Sequence, residues 1–275
     1  MIALTGVTGK LGGQLASRLS QAGVSARMLA RRPEAVDLLA NMQIFEAYYD
    51  ASQTTLHALA GVDILFMVSG REAESRIDEH KALIDAAKLA GVRHIIYTGF
   101  YHAEPTSTFT LARDHAETER YIKELGFTYT FIRDNFYMDF FVELAKEYGE
   151  LKGPAGNGKV SMVARKDVVD VAFEILCHPQ DYENRVFDMT GPEELTLTET
   201  ATIIGQAWNK EIPYINETVE EAYRSRLTWP AQQWQYDSWV STYTAIANGE
   251  LSGVSTDIFQ ILGRPATSLA EFLQK

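Results

Sequence analysis

Apolar residues in the first half of the chain come in short blocks that alternate with stretches of helical period. Ile2-Ala3-Leu4-Thr5 is a brief β-type run, and Leu15, Leu19 and Ala22 then recur at helical spacing up to Gly23. Between them lies Gly6-Val7-Thr8-Gly9-Lys10-Leu11-Gly12, which reads GxxGxxG. The alternation continues to about residue 133. It predicts strands at 26–30, 44–49, 62–68, 93–98 and 128–133, with helices at 54–59, 77–90 and 112–125. Gly61, Gly91 and Gly126 stop those helices. Strands alternating with helices imply an α/β fold, a doubly wound parallel sheet of Rossmann type covered on both faces. Right-handed crossovers then bring the strand C-termini to one edge, where a ligand is expected.

Beyond Arg133 the rhythm changes. Residues 136–148 read as an aromatic-rich helix, 153–158 as a loop, 166–178 as a helix and 185–190 as a further sheet strand. From about residue 196 a helix, a short strand at 212–215 and more helices follow. The expected organisation is a nucleotide-binding lobe of residues 1–133 plus about 160–190. A smaller, mostly helical lobe of about 134–159 and 191–275 would lie over the ligand edge and bind substrate.

A glycine turn between strand and helix lets a pyrophosphate approach the backbone and rest on the N–H groups of the helix start, whose dipole adds roughly half a positive charge. Gly6, Thr8, Gly9, Lys10, Leu11 and Gly12 are therefore candidate cofactor contacts. A Walker loop is excluded, because Lys10 lacks the four-residue spacer and the following Ser or Thr. At the end of the second strand an NAD enzyme places an acid for the ribose hydroxyl. This chain has Arg31 and Arg32 there, and no acid until Glu34. Guanidinium groups bind phosphate as charged forks, which favours NADP(H), with Arg31 the better of the two. The nicotinamide end is expected past the fourth and fifth strands, at Ser69, Gly70, Thr98 and Gly99.

Two aromatic clusters should emerge on the same edge: Phe100, Tyr101 and His102, then Asn135, Phe136 and Tyr137. Beside a nicotinamide, Tyr101, Phe136 and Tyr137 would suit a flat, electron-accepting substrate. Packing between lobe and sheet is the other reading, above all for Phe136. A Tyr-x-x-x-Lys pair is missing after the fifth strand, where Arg113-Asp114-His115-Ala116-Glu117-Thr118-Glu119 stands instead. The one match, Tyr148 to Lys152, falls too late to serve. Interconversion of alcohol and ketone through a tyrosinate is thus disfavoured. His115 could bind ribose, shuttle a proton or simply cap its helix. Tyr137, His115 or water remain the proton donors.

Composition narrows the rest. A net charge of −12 among 275 residues argues against general affinity for nucleic acid or anionic membrane. The single cysteine, Cys177, excludes an internal disulfide framework and is expected to be a buried, inert thiol. The six histidines show no metal-ligand spacing, and no GxSxG elbow occurs. Trp229, Trp234, Tyr236, Trp239 and Tyr243 are expected to pack the small lobe or a dimer contact rather than stack on bases. No signal peptide precedes the first strand and no long apolar span occurs, so the expectation is a cytoplasmic monomer or homodimer.

The residues 2–12 turn resembles the atypical short-chain dehydrogenases of the NmrA-like group. So do residues 86–92, His102-Ala103, the His115-Ala116-Glu117-Thr118-Glu119 run, residues 129–137 and residues 262–269. Within that group the likeness is greatest to bacterial NAD(P)H:quinone oxidoreductases of type 2 and to triphenylmethane-reductase-like members. The resemblance implies an NADPH-binding Rossmann lobe, a small C-terminal lobe with a cleft between them, and direct hydride transfer to a quinone or similar acceptor without flavin. It carries over the glycine turn, Arg31, Ser69 and residues 135–137 as binding positions. Tyr48 departs from the group, which tends to carry Asp there for an adenine contact. The group also contains NADP-sensing regulators without catalysis, so a regulator that docks a protein partner is the alternative function.

Overall fold

The structure, a computed structural model, describes residues 1–274. In chain order its elements are β1 (Ile2–Leu4), α1 (Lys10–Gln21), β2 (Ala26–Ala30), β3 (Met42–Glu46), α2 (Gln53–Leu59), β4 (Ile64–Met67), α3 (Arg76–Leu89), β5 (His94–Phe100), α4 (Thr110–Glu124) and β6 (Thr128–Asp134). They continue with α5 (Met138–Tyr148), β7 (Leu151–Gly153), β8 (Lys159–Val160), α6 (Arg165–Cys177), β9 (Arg185–Met189), β10 (Leu195–Thr196), α7 (Leu197–Trp208) and β11 (Tyr214–Asn216). The last four are α8 (Val219–Arg226), α9 (Gln233–Ala247), α10 (Asp257–Leu262) and α11 (Leu269–Leu273).

Seven strands form one sheet in the order β3-β2-β1-β4-β5-β6-β9. β1 pairs in parallel with both neighbours, Leu4 facing Met28 on one side and Phe66 on the other. Strand order therefore reverses at β1, the switch point at which open α/β sheets leave a crevice beyond their strand ends. β5 is buried at all seven positions, as a central strand covered on both faces must be. α1 turns Leu11, Leu15, Ala16 and Leu19 inward. Leu65, Ile95 and Phe131 are fully buried in the core of the sheet and its helices. Each such side chain contributes about 1.5–3 kcal/mol relative to exposure.

The described residues divide into two compact units: 1–99, 114–133 and 168–187 make the first, and 100–113, 134–167 and 188 onward the second. The second unit has two small ladders, β7 with β11 and β8 with β10. Its helices α7, α8 and α11 open on capping boxes, Thr196 with Glu199, Thr218 with Glu221 and Ser268 with Glu271. Each box satisfies two N–H groups that a helix start leaves unpaired.

Two boundaries move for visible reasons. β3 stops at Glu46 rather than Tyr49, because Tyr48 N donates to Thr55 Oγ1 (3.1 Å) and leaves the ladder. β5 runs on to Phe100 rather than ending at Thr98. Cys177 is half-buried, not buried, and partial burial still pushes its thiol upward, away from reactivity. Among the described residues no helix is long and apolar enough to cross a membrane.

The start of α1 lies so close to the end of β1 that a side chain at Gly12 has nowhere to go. A Cβ there would stand 2.4 Å from the Gly6 carbonyl oxygen and 2.9 Å from that of Thr5, both backbone atoms. Gly12→Ala gains roughly 1 kcal/mol of helix propensity, but forcing apart two packed backbones costs more, typically about 1–3 kcal/mol. Urea unfolding of the cofactor-free variant is expected to show net destabilisation. A midpoint equal to or above that of the parent would contradict the packing argument.

Candidate functional site

The first unit carries a cavity of about 380 Å³ beyond the ends of β1, β2 and β4. Its floor is the glycine turn. Gly6 adopts φ +65°, and a Cβ there would lie 2.8 Å from Val68 Cβ. Gly9 N donates to Gly6 O (2.9 Å), closing the turn, and Gly9 is the residue before α1. That helix start has no side-chain cap and no acid in its first turn, so its own residues do not neutralise its positive end. Thr8 and Lys10 are exposed beside it, while Leu11 turns into the core. A turn so bare, backed by an uncapped helix, fits a dinucleotide's diphosphate.

Arg31 lines this cavity; Arg32 does not. Arg31 is exposed and makes no hydrogen bond or ion pair among the described residues, which leaves its fork free for a phosphate. Asp50, also on the wall, is occupied: it accepts from Ser52 N (3.1 Å), Ser52 Oγ (2.8 Å) and Thr55 Oγ1 (2.7 Å). Partial burial raises its carboxyl, but these bonds outweigh it and hold the pKa below the usual value. Tyr48 points its hydroxyl at Glu46 Oε1 (2.5 Å). Tyr49, unremarked in the sequence, meets Thr5 Oγ1 (2.8 Å) and donates to Val68 O, and burial pushes its phenol up to about 12.

The end of β4 is fixed by side chains from three other elements. Val68 N donates to Thr5 Oγ1 (2.9 Å), Ser69 N to Thr98 Oγ1 (2.9 Å) and Gly70 N to His80 Nε2 (2.8 Å). Ser69 and Thr98, both named from the sequence, thus meet directly. His80 accepts at Nε2, so its proton sits on Nδ1 and is given to Thr118 Oγ1 (2.8 Å), which donates on to Asp114 O (2.7 Å). Burial, then the nearby Arg76 charge, lowers His80 to about 3, so it remains a neutral strut. The sequence signal was available but faint: His80 is a polar residue on the face of α3 that buries Leu83, Ile84 and Ala87.

His115 does not cap α4; it lies inside the helix, buried. Arg76 can only donate, so His115 Nε2 accepts from it (3.1 Å) and Nδ1–H is given to the Tyr97 hydroxyl (2.9 Å). Burial first, and the Arg76 cation second, hold its pKa well below 6.5.

The other candidates belong to the second unit. Asn135 is buried, giving Nδ2–H to Leu251 O (3.0 Å) and accepting Phe136 N (2.8 Å). Tyr101 is 4% exposed, donates to Ser252 O (3.0 Å), and is pushed up to about 12 by burial. Phe136 packs with Phe100 and Phe109 at centroid distances of 5.1 and 5.2 Å. Tyr137 differs. It is half-buried, donates to Asp134 Oδ2 (2.5 Å), and carries the Arg165 guanidinium 4.8 Å above its ring. The other carboxylate oxygen of Asp134 is buried with no hydrogen-bond partner. Burial raises Asp134 to about 7, against the lowering bond from Tyr137. Burial, then the Asp134 charge, drives Tyr137 well above 10.

The chain as a whole is similar to known proteins. The profile of the NmrA-like family matches residues 1–238. Quinone oxidoreductase 2 of Escherichia coli (strain K12) is 30% identical over 98% of this chain and 96% of its own length. NAD(P)H azoreductase of Xenophilus azovorans is 29% identical over 99% of this chain and 96% of its own. The solved structure of the NADPH-dependent quinone oxidoreductase QOR2 from Escherichia coli, complexed with NADPH, superimposes with a TM-score of 0.91. It shares 28% identity, covering 100% of this chain and 99% of that one.

Proposed function

Because the chain belongs to the NmrA-like family, we propose that it reduces a quinone-like or other flat aromatic acceptor with NADPH, passing hydride directly and without flavin. It is an NADP(H)-using oxidoreductase. The observation that carries the reading is the pairing of an uncapped α1 start with an unpaired Arg31 on one cavity wall. The first-turn amides and Lys10 hold the diphosphate, and Arg31 forks the 2′-phosphate. Thr8, Ser69 and Gly70 present small groups along the cavity wall, Thr98 is buried and holds the Ser69 amide, and Asn135 holds residues 135–137 in place through Leu251.

Bound NADPH supplies the hydride. A quinone that gains a hydride also needs one proton to become a hydroquinone. The Asp134–Tyr137 pair can hold that proton. With Asp134 ionised, the phenol hydrogen is engaged by the carboxylate. With Asp134 protonated, the carboxyl O–H is given to the phenol oxygen, and the Tyr137 hydrogen turns to the acceptor beside Tyr101 and Phe136. His115, neutral and committed to Tyr97 and Arg76, supports the strand ends and the proton store lies elsewhere.

Purified protein with NADPH and small quinones is expected to oxidise the cofactor well above a blank. Arg31→Ala is expected to lower kcat/KM for NADPH roughly tenfold to a hundredfold and leave NADH nearly unchanged. Equal losses with both cofactors would remove Arg31 from the phosphate site. Tight NADPH binding with no turnover across quinones and azo and triphenylmethane dyes would instead favour a non-catalytic regulator.

The proton assignment has its own pH signature. Asp134 with a pKa of about 7 is protonated below neutrality and loses its proton above it. Turnover is therefore expected to fall as pH rises through about 7. Asp134→Asn and Tyr137→Phe should each lower kcat at least about tenfold and flatten that fall. A parental rate and profile in both variants would assign the proton to solvent.

A further inference from the structure

The second unit contains a chamber of about 490 Å³ that none of these roles uses. It lies among α5, α8 and α9, and all its lining residues belong to the second unit. Its walls are aromatic: Phe140, Tyr148, Trp229, Trp239 and Tyr243. Phe140 is 37% exposed, Tyr148 47% and Trp229 43%, far more than side chains of a closed core. Trp229 stands edge-on to Tyr148, ring centroids 5.9 Å apart, so the rim is an ordered aromatic corner.

One end of the chamber is cationic. Arg226 is 7% exposed and lines the wall. Its first terminal nitrogen is committed to Glu217 Oε2 (2.9 Å) and Ala222 O (3.0 Å). Its second makes a long bond to Lys152 O (3.4 Å), and the guanidinium carbon lies 5.2 Å from the centre of the Tyr243 ring. Lys152, also on the wall, reaches the other oxygen of Glu217 at 3.4 Å. The Glu217 carboxylate is thus shared by Lys152, 41% exposed, and Arg226, which is the buried cation that an acceptor inside the chamber would meet. Glu150, half-buried, is the acid on the lining. An open space of this size, with flat apolar walls and one convergent donor, has the form of a small-molecule site.

We propose that the chamber binds a planar aromatic anion of two or three fused rings. The rings lie against Trp229 and Trp239, and the anionic oxygen meets the second nitrogen of Arg226. The chamber shares no lining residue with the nucleotide cavity, and binding there needs neither cofactor nor electron transfer. A peptide or second copy of the chain is a poorer occupant, because the Arg226 donor is buried in the chamber wall rather than exposed at its rim.

Calorimetric titration of the full chain with naphthalene-2-sulfonate, without NADP(H), tests this. Saturable one-to-one binding is expected, with naphthalene-2-methanol at least fivefold weaker. Trp229→Ala, at the exposed rim, and Trp239→Leu should each raise Kd at least tenfold while leaving the unfolding midpoint of Trp229→Ala near that of the parent. Absent binding, or binding unchanged in both variants, overturns the site. Equal affinity for the alcohol overturns the anionic assignment. Concentration-dependent self-association abolished by Trp229→Ala would make the rim a subunit contact instead. Failure of quinone turnover would leave this result standing, since no reduction enters the titration.

Discussion

The contact on which most else depends is the approach of α1 to the end of β1. Only glycine at position 12 permits it, because any Cβ there meets the Gly6 carbonyl. With the helix pressed that close, its uncapped first turn points at the space beyond β1, and no side chain of its own fills that space. The cost of leaving helix N–H groups without a protein partner is accepted at a position where an anion can satisfy them. The contrast lies within the chain: α7, α8 and α11 close their starts with capping boxes, and the uncapped α3, α5 and α10 each carry an acid in the first turn, whereas α1 has neither.

A second constraint follows. A cavity beyond strand ends is useful only if those ends hold still, and polar side chains do this from within the core. Thr5, Thr98 and His80 each accept an amide at the tip of β4. Histidines 80 and 115 are kept neutral by burial and by Arg76, so these bonds persist across ordinary pH without a charge change. Asp134 is the exception. One of its oxygens is buried with no partner, an arrangement that costs stability. It stands beside the half-buried Tyr137, and this pair is where the proposed function places its proton.

The fold was legible because its local signals agree with one another: apolar blocks of strand length, helical periods and glycine stops. The misplaced end of β3 shows the limit. Tyr48 and Tyr49 have strand character, yet Thr55 captures the Tyr48 amide, a competition that no propensity reveals. That Arg31 lies on the cavity wall could be read directly from its position just after β2. The His80–Thr118 and Arg76–His115 pairs could not, because each joins residues 38 or 39 positions apart. The chamber was harder still. Phe140 and Tyr148 on α5, and Trp239 and Tyr243 on α9, keep spacings of eight and four residues that read as ordinary packing, and Trp229, in the turn after α8, carries no pattern from which its 43% exposure could be read.

The account's central claim is that the first turn of α1 receives a dinucleotide's phosphates. Amide hydrogen exchange, read residue by residue with and without NADPH, tests it most directly. Exchange at residues 10–12 should slow markedly when NADPH binds, and more than at the capped starts of α7 and α8. Saturating NADPH that leaves those three amides exchanging at the cofactor-free rate would contradict it.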